Sequence, residues 1–445
     1  MGKYFGTDGF RGNANTTLTV KQALHVGIFL GHYFSQNGKH QILVGKDTRL
    51  SSDMLEAALA AGITAGGCDA ILTGTCPTPM VAYLVRSHHY ACGAMISASH
   101  NPYGDNGIKL FNGNGEKCDP ELESAIEAYL DGKTNVELAK DDAIGSIIHD
   151  DQLIVEYKQW LLDQVPNTKN DLTIVVDCAN GSATTTAVDV LSQVCGRIIA
   201  THVEPNGTNI NTKCGSTHPE SLQQAVIDNH ADLGFAFDGD ADRLMCVDHL
   251  GRMVTGDHML YFLGKYLDEQ GLLNDHCVVS TVMANLGFFH ALAKANLVSV
   301  KTDVGDKYVY EQMVNHHYDL GGEQSGHIIF RRDATTGDGL LTALHVLQVL
   351  NARKVPLATL ADEVTIYPQE LVNVKVSDKH AVLLDPQVKS WIDDVDQQLQ
   401  GNGRLLVRAS GTEPLVRVMA EATTEALCHQ LVNDLAAKIQ DKYGI

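Results

Sequence analysis

The chain is 445 residues long, with 33 Lys and Arg against 54 Asp and Glu, a formal net charge of −21. That length suits roughly three or four domains, and the acidic balance, with no basic run, excludes nucleic acid and anionic membranes as partners. Apolar stretches are too short or too interrupted to span a bilayer. Ten cysteines are dispersed with no Cys-x-x-Cys pair, the pattern of buried thiols in a reducing cytoplasm. Met1-Gly2-Lys3-Tyr4-Phe5 does not open a secretory signal, so a cytoplasmic location is expected.

In chain order, a strand is predicted over 41–44, an Ala- and Leu-rich helix over 52–66, a strand over 70–72 and a helix over 79–85. The apolar run 91–96 is the next strand. A second unit starts with a strand over 172–176, ending at Asp177, and a strand over 232–237 follows. Strands over 276–280 and 297–301 and a helix over 339–350 form a third. This βα rhythm places functional loops after strands, where helix N-termini and open backbone meet ligands. After Val364 the pattern changes to strands and then one amphipathic helix, with Leu427, Leu431, Leu435 and Ile439 on its apolar face. The expected architecture is α/β: three successive mixed α/β-sheet domains of similar fold (1–150, 151–252 and 253–364) plus a C-terminal α+β domain (365–445), around a central cleft.

Four loops stand out. The run 91–96 ends in Ile96-Ser97-Ala98-Ser99-His100-Asn101-Pro102. Asn101-Pro102 stops a helix from continuing and re-aims the chain, leaving Ser99 at a strand end beside a histidine. Alone, the segment is also a plain Ser-rich turn. Phe237-Asp238-Gly239-Asp240-Ala241-Asp242-Arg243 sets three carboxylates at alternate positions. On a strand, neighbours on one face lie roughly 6.6–7 Å apart, too wide to share a cation bound at about 2.0–2.6 Å. On a helix the middle one would point away. The segment must therefore wrap as a loop, which Gly239 and Ala241 allow, and its hard oxygen donors suit Mg²⁺ or Ca²⁺. An EF-hand is excluded, since Arg243 and His249 stand where such a loop needs Gly and Glu. Three solvated surface aspartates are the other reading.

Charge links these two loops. A phosphoserine carries about −1.5 to −2, and like charges about 4 Å apart cost on the order of 4 kcal/mol at an effective dielectric of about 20. The acidic loop is thus a poor binder of free phosphate but a suitable holder of a divalent cation against a phosphorylated serine. Arg408-Ala409-Ser410-Gly411-Thr412-Glu413-Pro414, with Arg417 on the next strand, offers guanidiniums, hydroxyls and a Gly-freed backbone to an anion; an ordinary polar hairpin fits it as well. Gly321-Gly322-Glu323-Gln324-Ser325-Gly326-His327 precedes a strand over 328–330. Its carboxylate and hydroxyl suit capture of sugar hydroxyls, although a tight turn has the same composition.

Together with Gly6-Thr7-Asp8-Gly9-Phe10-Arg11-Gly12, these loops resemble the α-D-phosphohexomutase superfamily, in family order and over essentially the whole chain. The segment 322–327 is similar to the phosphoglucosamine mutase branch, as are Thr281-Val282-Met283-Ala284-Asn285-Leu286-Gly287 and Val304-Gly305-Asp306-Lys307-Tyr308-Val309. Phe10, where Ile is common, and the continuation Leu110-Phe111-Asn112-Gly113-Asn114-Gly115 depart from the pattern without touching a motif residue. The resemblance implies that Ser99 is the phosphorylated serine and that Asp238, Asp240 and Asp242 bind one Mg²⁺ per chain, with the phosphoserine as a further ligand. It implies Glu323 and Ser325 for the sugar hydroxyls, and Arg408, Ser410, Gly411, Thr412 and Arg417 for the phosphate that is not reacting. Arg11, Lys109, Arg243 and His327 fall near the reacting phosphate, with Lys109 and His327 the candidates for the base.

The implied activity is interconversion of glucosamine 6-phosphate and glucosamine 1-phosphate through a hexosamine 1,6-bisphosphate, as a supply for UDP-N-acetylglucosamine. The partner is then a small phosphosugar, and the resemblance leaves room for a homodimer. A phosphomannomutase/phosphoglucomutase of the same mechanism is the nearest rival, because Gln324 alone separates the sugars. A non-catalytic sugar-phosphate binder and a phosphatase complete the alternatives.

Overall fold

The computed structural model describes every residue except Met1, Thr7, Asn37, Lys39, Asn167, Gln400 and 411–413. It divides into two compact units, one of Met1–Met283 with Leu297–Asp362, the other of Ala284–Asn296 with Glu363–Ile445.

Three sheets build the first unit. The largest has seven strands in the order Phe5–Gly6, Gly9–Asn13, Asp105–Asn112, Cys92–Ile96, Gln41–Lys46, Asp69–Thr75 and Ile147–His149. Cys92–Ile96, Gln41–Lys46 and Asp69–Thr75 run parallel. The first two are buried on both faces along most of their length, so they read as near-continuous apolar runs. Helices Val20–Ser35 and Ser52–Gly66 pack closely through small residues: a Cβ at Gly27 would fall 2.2 Å from the Leu59 carbonyl oxygen. A five-stranded sheet follows in the order Met253–Val254, Leu244–Asp248, Leu233–Phe237, Thr173–Asp177 and Arg197–Thr201. The third sheet orders Val298–Thr302, Cys277–Thr281, Leu320–Gly322 and Ile328–Phe330. Each sheet mixes parallel with antiparallel pairing, which is the expected mixed α/β architecture. No helix among the described residues is long and apolar enough to cross a membrane, and all ten cysteines are free thiols.

The second unit carries a three-stranded antiparallel sheet, Gln369–Lys375, Leu415–Glu421 and Arg404–Ala409. Helix Glu425–Tyr443 buries Leu431, Leu435 and Ile439 against Val374, Val416 and Val418, with Leu427 half-buried at the margin. The expectation of strands followed by a single helix is corrected here. Two more helices, Lys379–Leu384 and Pro386–Leu399, lie between the strands. Asp378 caps the first by accepting the His380 and Ala381 N–H groups. Pro386 starts the second, where a missing N–H costs nothing. Its buried stripe, Val388, Val395 and Leu399, is thin, and Asp393, Asp394 and Asp396 mask the helical period in the sequence.

Candidate functional site

Ser99 is buried, and its backbone lies in the left-handed region, φ +51. An L-residue there costs roughly 1–2 kcal/mol, so its surroundings must impose it. The Ser99 N–H donates to Ser97 Oγ (2.9 Å), whose hydroxyl donates to Asp47 Oδ2 (2.7 Å). Asp47 is paired in turn with Arg49 (2.7 Å), neither side chain reaching solvent. The Ser99 carbonyl accepts from Arg49 Nη2 (2.8 Å) and Asn211 Nδ2 (2.9 Å). Held at both ends, the serine donates its hydroxyl to Asp238 Oδ2 at 2.6 Å. His100 Nδ1 lies 3.4 Å from the same hydroxyl, and burial with Arg243 and Arg11 nearby pushes its pKa down to about 4.

The three aspartates follow strand Leu233–Phe237 in a loop, as the spacing requires. They are buried, with ligand oxygens within 4.8 Å of one another. Ala241 supplies the turn with φ +57. Gly239 serves another purpose: a Cβ there would stand 2.5 Å from the Ser99 carbonyl oxygen, so glycine lets the two loops touch. Burial, reinforced by Asp242 and Asp240, drives Asp238 well above the usual carboxylate range, a pile-up of like charge that a divalent cation relieves. Asp240 Oδ1 is buried and meets no hydrogen-bond donor among the described residues. Buried hard oxygens, two of them (Asp240 Oδ1 and Asp242 Oδ1) without a donor among the described residues, fit a cation of the Mg²⁺ class.

Cations thread this cluster. Lys109 Nζ lies 2.8 Å from Asp240, 3.0 Å from Asp8 and 3.4 Å from Asp242. Burial pulls its pKa down, but Asp240, Asp8 and Asp242 outweigh it and hold the group well above its ordinary value. Asp242 is low for the reciprocal reason, burial being overcome by Lys109 and His327. Lys117 joins Asp8 (2.9 Å) to Asp306 (2.7 Å). His327 stands 3.6 Å from Asp306 and 3.7 Å from Asp242, so the contacts close into a ring. The acidic neighbours of His327 overcome its burial and draw its pKa up to about 8. Its Nε2, however, accepts the Gly337 N–H at 2.9 Å, and an N–H can only donate. That bond assigns the neutral tautomer, with the proton on Nδ1 toward Asp242.

The first unit thus gathers Ser99, the three aspartates, Lys109 and His327. Arg11 belongs to the same group through ion pairing with Asp8 and a 3.5 Å contact to the Ala98 carbonyl. Arg243 is held above its ordinary range by Asp242, Asp238 and Glu323, which outweigh its burial. Glu323 accepts the Gly305 N–H at 3.1 Å, and Ser325 Oγ lies 3.4 Å from its other oxygen. Gly326, at φ +89, lets this loop press on the Leu244 carbonyl, which a Cβ would meet at 2.0 Å.

On the second unit Arg408 and Arg417 are direct cross-strand partners. Ser410 is buried, its N–H donating to the Leu415 carbonyl at 2.9 Å. Gly411 and Thr412 lie outside the described residues. Sequence reasoning assigned no role to Asp8, Asp47, Arg49, Lys117, Asn211 or Asp306. Asp8 and Asp306 sit within quoted motifs, and Asp47-Thr48-Arg49 follows an apolar strand directly, a usable signal. Lys117 and Asn211 carry none.

Four models of one family match the chain in order. They are phosphoglucomutase/phosphomannomutase alpha/beta/alpha domain I at residues 2–137, domain II at 154–251, domain III at 255–367 and the C-terminal domain at 371–438. The chain belongs to the phosphoglucomutase/phosphomannomutase family and is an isomerase, a phosphosugar mutase. A protein of Lachnoclostridium phytofermentans named phosphoglucosamine mutase is 46% identical over 443 residues, 99% of each chain. A family protein from Burkholderia thailandensis shares the fold with TM-score 0.81 at 22% identity, covering 100% of both chains. The N-acetylphosphoglucosamine mutase of Aspergillus fumigatus, solved with GlcNAc-6P and magnesium, shares it with TM-score 0.71 at 19% identity, covering 98% of this chain and 95% of its own.

Proposed function

We propose that this chain is a phosphoglucosamine mutase, interconverting glucosamine 6-phosphate and glucosamine 1-phosphate through phosphorylated Ser99 and glucosamine 1,6-bisphosphate. The observation that carries this reading is the Ser99 hydroxyl, 2.6 Å from Asp238 within a buried three-carboxylate loop. The full-length relatives named for this reaction support the choice of sugar.

In the forward direction, O1 of glucosamine 6-phosphate attacks the phosphorus on Ser99. The O1–P bond forms, the Oγ–P bond breaks, and the O1 proton leaves to a base. The bisphosphate turns over in the site, its 6-phosphoryl group returns to Ser99, and glucosamine 1-phosphate departs. Asp238, Asp240 and Asp242, with the phosphorylated serine, would hold one Mg²⁺ per chain, which when bound neutralises charge on the phosphoryl oxygens. Lys109 is locked as an ammonium by three carboxylates, so it stabilises charge with Arg11 and Arg243. His327 is the candidate base, and to take the proton its Nε2 would release the Gly337 N–H that it accepts.

Glu323 and Ser325 are assigned to the sugar hydroxyls. Arg408, Ser410, Gly411, Thr412 and Arg417 are assigned to the non-reacting phosphate. Direct cross-strand pairing puts the Arg408 and Arg417 side chains on one sheet face, where two guanidiniums can serve one anion. We further infer four domains divided near 150, 252 and 364, and a cytoplasmic enzyme, single chain or homodimer, feeding UDP-N-acetylglucosamine synthesis.

The test is ³¹P NMR of the protein with Mg²⁺, a trace of hexose 1,6-bisphosphate and equal glucosamine, glucose and mannose 6-phosphates. Glucosamine 1-phosphate forming first and fastest is the expected result. Glucose or mannose 1-phosphate leading would transfer the assignment to a phosphoglucomutase or phosphomannomutase, and free phosphate alone would make it a phosphatase.

A further inference from the structure

A second set of metal-ligating side chains converges away from the aspartate loop, and its chemistry is different. Asp177 ends strand Thr173–Asp177, and His202 follows strand Arg197–Thr201. These strands pair in parallel with Asp177 opposite Thr201, so their ends deliver a carboxylate and an imidazole side by side. Cys214 comes from the segment leading to helix Glu220–Asp228. It is anchored by its neighbour Gly215, whose N–H donates to Asp177 Oδ2 at 2.9 Å. The carboxylate, ring nitrogen and sulfur lie within 4.8 Å of one another.

Two details point to a bound ion rather than an ordinary polar contact. His202 Nδ1 is 3.1 Å from Asp177 Oδ1, close enough for the carboxylate to raise the imidazole's pKa, but the two atoms are not aligned as a regular hydrogen bond. Two ligands held by a tetrahedral ion at about 2.0 Å stand roughly 3.3 Å apart, close to the spacing seen. Asp177 is also already oriented, because Oδ1 accepts the Ala179 N–H (2.8 Å) and Oδ2 the Gly215 N–H. Such outer hydrogen bonds fix a ligand carboxylate. A Cys–His–Asp nucleophile is excluded by burial, which leaves Cys214 without contact to solvent and pushes its thiol up to about 12.

We propose that Asp177, His202 and Cys214 form a second cation site, taking Zn²⁺ or a like borderline ion through one oxygen, one nitrogen and one thiolate. Thiolate and imidazole donors select against Mg²⁺ and Ca²⁺, so the two sites divide the ions by chemistry. Binding exchanges the S–H bond for an S–metal bond and releases one proton to solvent. The part-exposed ring of His202 is the way in, with water as a fourth ligand. The site ties down the segment carrying Asn211, which holds the Ser99 carbonyl.

Co²⁺ titration of the purified full-length protein tests this directly, with absorbance as the readout. The expected result is one equivalent bound with a thiolate-to-cobalt charge-transfer band and tetrahedral visible bands, displaced by Zn²⁺ but not by Mg²⁺. Asp240→Asn keeps the band, Cys214→Ser abolishes it, and His202→Ala weakens binding roughly tenfold or more. His202 is part-exposed, so its variant reports on the site if the Cys214 variant does not fold. No charge-transfer band in the wild type, a band that persists in folded Cys214→Ser, or unchanged affinity in His202→Ala overturns the proposal.

Discussion

The serine–aspartate cluster and the Arg408–Arg417 strand pair both handle phosphate chemistry in this reading, but they treat charge in opposite ways. In the cluster, acids alternate with two lysines and the neutral imidazole of His327: Asp240, Lys109, Asp8, Lys117, Asp306, His327, Asp242. Asp240, Lys109, His327 and Asp242 are buried, and Asp8, Lys117 and Asp306 are part-exposed. On the strand pair, two half-buried arginines stand directly opposite each other. A compensated, buried network is already in its working arrangement, so removing a member should cost the chemical step. Two guanidiniums on one sheet face offer an anion charge-assisted donors, so removing a member should cost binding.

The largest expected effect is at the serine. Ser99→Ala should lower mutase turnover on the order of 10³-fold or more, since it removes the hydroxyl assigned to carry the phosphoryl group. Intact mass after incubation with the hexose bisphosphate should show no added phosphoryl group. Substantial turnover in this variant would remove the phosphoserine from the mechanism. Asp240→Asn comes next. It alters the carboxylate that meets Lys109 and Thr78 (2.5 Å) and keeps a free oxygen. Turnover should fall roughly 10²- to 10³-fold and lose its dependence on added Mg²⁺. Wild-type Mg²⁺ titration curves in the variant would break the contrast with the arginine pair.

The two regions also differed in how far the sequence revealed them. Ser99 and the three aspartates were marked by their tight spacing, and their roles were proposed from the family resemblance. A strand end stopped by Asn101-Pro102 and three acids separated by small residues have limited geometric solutions. The supports were not legible. Lys117 and Asn211 reach the cluster over long sequence separations, as in the Asn211–Ser99 bond, and nothing local marks them. Gly239 allows the loop to wrap, as expected, and a further need was not visible in the sequence: bare Cα against the Ser99 carbonyl. In the second unit, helix Pro386–Leu399 stayed hidden because its exposed acids diluted a narrow apolar stripe.

A smaller effect, of a different kind, is expected at the strand pair. Arg408→Ala should raise KM for the sugar phosphate roughly 10- to 100-fold, the loss of a charge-assisted hydrogen bond, with little change in kcat. That split is the signature of binding shared by ground and transition states. Inorganic phosphate should also inhibit the variant less than the wild type. A fall in kcat at unchanged KM would place Arg408 with the cluster's chemistry instead.

The smallest effect asks whether burial or cations decide the charge state of the cluster's acids. Asp338 is the internal control. It is as buried as Asp242, yet among the described residues no lysine or arginine pairs with it; its carboxylate accepts the Leu340 and Leu341 N–H groups and the Tyr157 hydroxyl, with His345 nearby. Burial raises its pKa to about 6, against those hydrogen bonds, whereas Asp242 beside Lys109 is held low. A carboxyl whose folded pKa exceeds its unfolded value binds its proton more tightly in the fold. Its contribution is therefore fully present below about pH 4 and falls as pH rises to about 6, by on the order of 3 kcal/mol. Asp338→Asn keeps the helix cap, because its amide oxygen accepts the same two N–H groups, but has no proton to lose. The variant's thermal midpoint should gain on the wild type between pH 4 and pH 7. If the gap between the two midpoints stays constant across that range, Asp338 is ionised throughout, and burial alone does not set the charge of acids in this fold.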